Sequence, residues 1–452
     1  MKRPQFRLIA LLLVFAVLLA SCTPQATTEP TQASAPASSD EATQPSEPAA
    51  SEPSDASAEP IELEYWVYAD YAQGEALTLQ QAFISEFEAS HPGVKITIAG
   101  KGDEELTTGE ITGAASDTLP DIFMNSPSQG AALVKAGALT NVYDQWSAMP
   151  DDYKSQFNPE LIKAMTPEDG VMYGMPYTGY TSYMFRNLTV LRAAGIDPEE
   201  EITDWNVWLE QMKKVKEAGY IAIHNFSNDW WDFANIYSGI AENNEWGIDF
   251  ANDQTLINPD KLAQAAAYLK EVQQYATEMG SADQGTIDLF TTNQMAFLVD
   301  GPWDNPGFEK AHEENGLDFD YVVIPGATAD NHGGIEGIEF IGIAPNDHAD
   351  LAWEFVTYLT AEPQMTRWAE ALGRFNSNQT ALSKIDHPLI NLTTKAAESA
   401  VFNQPPFFVE PYPANYYQPL LENLAAIMDG DATPEDGAKA AVEQMNEIIA
   451  AE

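Results

Sequence analysis

The stretch from Ile61 to Ile98 constrains the fold most, because its hydrophobic period changes from strand to helix and back. Ile61-Glu62-Leu63-Glu64-Tyr65-Trp66-Val67-Tyr68 reads as a strand. Leu79, Phe83 and Phe87 then recur at i, i+4 and i+8, the spacing of one helical face. His91-Pro92-Gly93 ends the helix, and Val94, Ile96 and Ile98 alternate as a second strand. A helix between two strands carries the chain back across the sheet. The strands therefore lie parallel, and the folded region is an α/β structure.

The same alternation continues downstream. Asp121-Ile122-Phe123-Met124 is a short buried strand after Pro120. Trp205, Trp208, Leu209, Met212 and Val215 share a helical face, with Asp204 placed as N-cap. Leu262, Ala265, Ala266, Leu269 and Val272 line another helix. Met295 to Val299 is an apolar strand that stops at Asp300-Gly301-Pro302. Leu351, Phe355, Tyr358 and Leu359 mark a further helix, and Val442, Met445, Ile448 and Ile449 the last. Thr433-Pro434-Glu435 starts that helix, with proline in its first position. A chain of 452 residues has room for two or three domains.

The front of the chain is of a different kind. Lys2, Arg3 and Arg7 precede an apolar run from Leu8 to Ala20. That run is shorter than the roughly 20 residues a membrane span needs, and it suits a secretory signal at 1–21. It ends Leu19-Ala20-Ser21-Cys22, which looks like a bacterial lipobox, so Cys22 is the expected site of lipidation. Cys22 is the only cysteine, which excludes an intrachain disulfide. Residues 23–60 contain no aromatic residue and no leucine, isoleucine or valine. They cannot bury enough apolar surface to fold, and with Cys22 they read as a disordered tether spanning 22–60. The folded part is thus expected outside the cytoplasm, tied by lipid to the outer face of the cytoplasmic membrane.

Composition narrows the partners. The formal net charge of −48 repels nucleic acid and anionic lipid heads. The sequence has no His-Glu-x-x-His, no Gly-x-Ser-x-Gly, no P-loop and no dinucleotide fingerprint. The histidines are scattered away from cysteine, so no metal site is expected, and no cofactor.

Four stretches carry a resemblance to a known family. The first is Tyr65-Trp66-Val67-Tyr68 with the helix that ends Phe87-Glu88-Ala89-Ser90-His91-Pro92-Gly93-Val94. The second is Leu119-Pro120-Asp121-Ile122-Phe123 followed by Leu133-Val134-Lys135-Ala136-Gly137-Ala138-Leu139. The third runs from Gly170-Val171-Met172-Tyr173-Gly174-Met175-Pro176-Tyr177 through Arg186-Asn187 and Ala194-Gly195-Ile196-Asp197-Pro198 to Thr203-Asp204-Trp205. The fourth is Asp300-Gly301-Pro302-Trp303 with Ala352-Trp353-Glu354-Phe355. Their order and spacing resemble the family 1 extracellular solute-binding proteins, the maltose-binding-protein-like receptors of ABC importers. The resemblance implies the two-lobed (type II) periplasmic binding protein fold, each lobe a sheet flanked by helices, with a hinge of several crossings. It places crossings near Thr178–Ser182, Gly337–Phe340 and Arg374–Asn378. The lobes would then be 61–178 with 341–378, and 179–340 with 379–452. The family's ligand lies in the cleft, and the lobes close on it.

Sugars present apolar C–H faces that stack on aromatic rings, and hydroxyls that need planar donors and acceptors. Three clusters supply both: Asn225 to Asp232, Asp300-Gly301-Pro302-Trp303, and Asn415-Tyr416-Tyr417. Trp303 follows a strand end, where α/β sheets place ligand contacts, and Tyr68 and Asp70 do the same. One of Trp230 and Trp231 is expected in the cleft and the other in the core, with Tyr416 and Tyr417 as further candidates. The resemblance adds Asn125 after the Ile122-Phe123 strand. It adds Tyr177 and Tyr180 at the first crossing and Glu339 at the second. Arg374 after Gly373 is expected to donate to hydroxyls or to pair with a carboxylate.

The expected function is that of an extracytoplasmic sugar or oligosaccharide receptor, a monomer that delivers its ligand to ABC permease subunits and performs no catalysis. Two alternatives keep the fold: a polyamine ligand, suited to the acidic chain, or ferric ion held by Tyr416-Tyr417. A third reading, from another class, is a surface-anchored glycoside hydrolase.

Overall fold

A computed structural model of the chain describes residues 60–167, 169–242, 245–397, 401–402, 413 and 415–451. The leader, Cys22 and all of the tether but Pro60 lie outside the described residues. In chain order the strands of the two larger sheets are β1 (Ile61–Tyr68), β2 (Val94–Lys101), β3 (Ile122–Asn125), β4 (Met175–Thr181), β5 (Tyr183–Asn187), β6 (Phe297–Asp300), β7 (Phe319–Val322), β8 (Ile335–Ile343) and β9 (Val401–Phe402).

β1 runs parallel to β2 and to β3, as the strand–helix–strand pattern requires. The connecting helix α1 (Gly74–Ser90) buries Phe83 and Phe87 against the sheet. Antiparallel β8 continues the sheet next to β3 and pairs with β4, so six strands belong to it among the described residues. The second sheet has order β6–β5–β7, all antiparallel. β5 and β6 are buried on both faces. Met184 of β5 and Phe297 and Val299 of β6 face one core, while Tyr183, Phe185 and Leu298 face another. A sheet covered on both sides needs no polar face, which is why Met295 to Val299 reads as an unbroken apolar run.

The crossings between lobes follow from which core each residue joins. Tyr177 packs in the first core and Tyr183 beyond it, so the chain crosses between them. Ile335 packs in the second lobe and Ile338 in the first, which puts the return within β8. There the Ser182 N–H donates to the Ile335 carbonyl at 3.0 Å, and the Ile335 N–H donates to Ser182 Oγ at 2.8 Å. The third passage lies further along than expected. Ala381 is still in the first core and Leu389 is in the second lobe. The stretch Arg374–Asn378 is held to the first lobe by the Thr178–Asn376 bridge and by Asn378 Nδ2 donating to the Thr360 carbonyl.

Helix starts obey local capping chemistry. The Asp204 carboxylate accepts from the N–H groups of Asn206 and Val207 and opens α2 (Trp205–Glu217). Asp229 accepts from the Trp231 N–H and opens α3 (Trp230–Tyr237). Thr433 accepts from the Asp436 N–H at the head of α4 (Pro434–Ile449). No helix among the described residues is long and apolar enough to cross a membrane.

Candidate functional site

Between the lobes lies a cavity of about 640 Å³. The first lobe contributes Tyr68 and Asp70 from the end of β1, Asp103 from just past β2, and Ser126 and Gln129 from just past β3. The second contributes Asn228 to Asp232, the 280–283 loop, Asp300 and Trp303. Tyr180 and Glu339 come from the crossing strands. The sites after β1, β2, β3 and β6 are strand carboxyl ends, where an α/β sheet opens to a ligand.

An aromatic group forms the wall. The Trp303 ring meets Tyr180 edge-on at 5.3 Å and Trp231 at 5.6 Å. Two glycines make room for it. A Cβ on Gly301 would fall inside the Trp303 indole, and one on Gly337 would lie 2.5 Å from Tyr180 Cζ. The turn Asp300-Gly301-Pro302-Trp303 therefore folds the indole back over Gly301, and β8 passes Tyr180 only because residue 337 has no side chain. On the far side Trp230 stacks on Tyr417, with centroids 4.7 Å apart and planes at 7°.

Among the described residues the charged lining is of one sign: seven carboxylic residues, six aspartates and Glu339, with no lysine, arginine or histidine, beside the neutral side chains of Ser126, Gln129, Asn228 and Ser281. Glu339 accepts a hydrogen bond from the Tyr71 hydroxyl, and its proton affinity is pushed up to about 8, first by burial and then by Asp70. Burial, with the Asp304 carboxyl alongside, pushes Asp300 well above the usual carboxylate range. Behind the wall, Arg374 Nη2 donates to Asp70 Oδ2 at 2.6 Å, and its guanidinium lies 4.6 Å from the Tyr71 ring centroid. Among the described residues no group of acidic, histidine or cysteine side chains is arranged to hold a metal ion.

Residues 82–396 match the family described as bacterial extracellular solute-binding protein. The chain belongs to that family. Members are substrate-binding receptors rather than enzymes. The chain is 23% identical over 304 residues to the sn-glycerol-3-phosphate-binding periplasmic protein UgpB of Brucella melitensis, a match covering 64% of this chain and 69% of that one. The corresponding protein of Escherichia coli K12 is 23% identical over 184 residues, 40% of this chain and 41% of that one. The chain thus spans only part of these curated relatives. The unliganded and acarbose-bound GacH receptor of Streptomyces glaucescens has the same fold, at TM-score 0.73 and 17% identity over 86% of this chain and 99% of that one. The maltotriose-binding protein of Thermus thermophilus matches at TM-score 0.71 and 16% identity, over 86% of this chain and all of that one.

In this receptor the structure brings together Tyr68, Asp70, Tyr180, Trp230, Trp231, Trp303 and Glu339 around one cavity. Both Trp230 and Trp231 line it, and neither is sunk in the core as one was expected to be. Four candidates lie elsewhere. Tyr177 is fully buried and leans on Trp368 in the first core. Asn125 is buried behind Ser126 and donates to Glu110 Oε2 at 2.5 Å. Tyr416 points its hydroxyl inward, 2.6 Å from the Gly247 carbonyl and 2.7 Å from Thr255 Oγ1, and with Tyr417 and Trp230 it lines a separate pocket rather than the interlobe cavity. Arg374 is buried behind Asp70 rather than on the cavity. Tyr417 reaches the site through its stack on Trp230. Sequence reasoning missed Asp103, Gln129 and the 280–283 loop, which carry no aromatic signal. The strand-end rule that selected Tyr68 also applies to Asp103, just past β2.

Proposed function

We propose that this receptor binds a sugar or oligosaccharide between its lobes and delivers it to an ABC permease, held by lipid on Cys22 at the outer face of the cytoplasmic membrane. The observation that carries the reading is Trp303 set between Tyr180 and Trp231 above buried carboxylates. Ring faces take the C–H side of a pyranose, and carboxylates accept from its hydroxyls. An anionic solute, such as the glycerol phosphate for which the curated relatives are named, finds no cation among the described residues of the cavity wall. Ligand binding closes the cleft by differential affinity for the closed form.

A thermal-shift and calorimetric screen of sugars, sn-glycerol 3-phosphate, spermidine and ferric citrate tests this. A sugar at 100 times its dissociation constant is expected to stabilise the protein by about 2.7 kcal/mol. Stabilisation by glycerol phosphate with none by any sugar refutes the proposal. Oligosaccharides incubated with the protein are expected back unchanged; shortened products favour the hydrolase.

A further inference from the structure

We propose that the sugar selected by this cleft carries a protonated amino group in place of a hydroxyl, so that the ligand is an amino sugar or a short oligomer of one. This rests on the sugar-receptor reading and refines it. A sugar hydroxyl both donates and accepts, so a site for a neutral sugar needs donors as well as acceptors. An ammonium has three donors and no acceptor. The described lining has neutral donors in Ser126, Gln129, Asn228 and Ser281, but its seven carboxylic residues meet no cationic side chain on the cavity wall. The general acidity of the chain does not explain this, because exterior carboxylates are solvated. Asp300 is only 1% exposed and Asp232 only 2%.

Burying carboxylates without a partner is costly. Asp232 Oδ1 receives no hydrogen bond, Asp300 Oδ2 has only the acidic Asp304 side chain beside it, and both Asp232 and Asp300 line the cavity. The nearest cations do not reach the cavity. Arg374 is committed to Asp70, and buried His224 stands 3.8 Å from Asp232 Oδ1 with its own proton affinity lowered by burial. The faces of Trp303, Trp231 and Tyr180 add a further attraction for a cation. Glu339 faces Asp70, Asp103, Arg374 and the Tyr71 hydroxyl, and Asp300 faces Asp304 and Asp232. An ammonium arriving among these groups favours their ionised forms and displaces protons to solvent.

The test is calorimetry of the purified protein with sugars matched except at one position. The pairs are glucosamine with glucose, galactosamine with galactose, and the glucosamine trimer with cellotriose. The N-acetylglucosamine trimer serves as the uncharged control and spermidine as an amine without a sugar. At least one amino sugar is expected to bind about tenfold tighter than its neutral partner, or better, as close charge pairs at interfaces do. Its heat should vary with the ionisation enthalpy of the buffer, reporting released protons. Asp300→Asn and Glu339→Gln, each checked for folding by its melting curve, should shrink the amino-to-neutral ratio. A neutral partner that binds as tightly as the amine overturns the proposal and leaves the sugar receptor standing. Spermidine binding with no sugar of either kind, or no binding across the panel, overturns both. A ratio unchanged in both variants overturns the assignment of the ammonium to these carboxylates.

Discussion

Replacing Glu110 by glutamine should stabilise the protein at neutral pH, although the residue is buried and hydrogen-bonded. Glu110 lies in the helix Asp103–Ser116 with no solvent exposure, accepts from Asn125 Nδ2 at 2.5 Å, and has no partner on Oε1. Burial pushes its proton affinity from an ordinary 4.5 up to about 9. The folded chain therefore holds a proton at pH 7 that the unfolded chain has released. Where the folded state binds more protons, stability falls as pH rises, here from about 4.5 to about 9. Each pH unit is worth 1.36 kcal/mol, so the loss accumulated between pH 4.5 and pH 7 is about 3 kcal/mol. Glutamine has no proton to take up, and its amide oxygen can accept the Asn125 bond. Its amide nitrogen enters a place without an acceptor, at about 1 kcal/mol. Glu110→Gln should then gain about 2 kcal/mol at pH 7 and lose slightly near pH 5, the difference growing by about 1.4 kcal/mol per pH unit. Urea unfolding of both proteins at pH 5, 6, 7 and 8 measures it. A difference that stays constant with pH, or a variant less stable at pH 7, would refute the argument.

Three further outcomes are expected. Trp303→Ala should weaken sugar binding by about 1–3 kcal/mol, the scale of aromatic stacking on a planar ligand, with little change in unfolding free energy. A stability loss of about 3–5 kcal/mol with affinity preserved would instead mark a core tryptophan. Gly301→Ala should displace the Trp303 indole and lower sugar affinity in the same direction, read by calorimetry; unchanged affinity would show that the ring's seat over Gly301 is dispensable. Cys22→Ala should abolish fatty-acid labelling and membrane association, and label retained by that variant would exclude Cys22 as the anchor.

The sequence alone determined what depends on near neighbours. Strand–helix–strand periodicity set the parallel pairing of β1 with β2, and Asp204 and Thr433 marked helix starts because a cap acts within one turn. Trp303 was legible because strand, glycine and proline stand next to it in the chain. Tertiary structure decided the rest. Alternation along β4 does not separate Tyr177 from Tyr180, because the β4–β8 register shifts between Ile338 and Phe340; pairing with β8 puts Tyr177 in the core and Tyr180 on the cavity. Tyr416 and Tyr417 are indistinguishable as letters, and the inward turn of Tyr416 is set by the Gly247 carbonyl, 169 positions away. Arg374 is withdrawn from the cavity by Asp70, 304 positions away. The third passage between lobes lies beyond Ala381 because the preceding stretch is tied to Thr178 and Thr360. Periodicity tells a residue which side of its own element it occupies. What stands on that side depends on pairing between distant segments, which a local pattern does not encode.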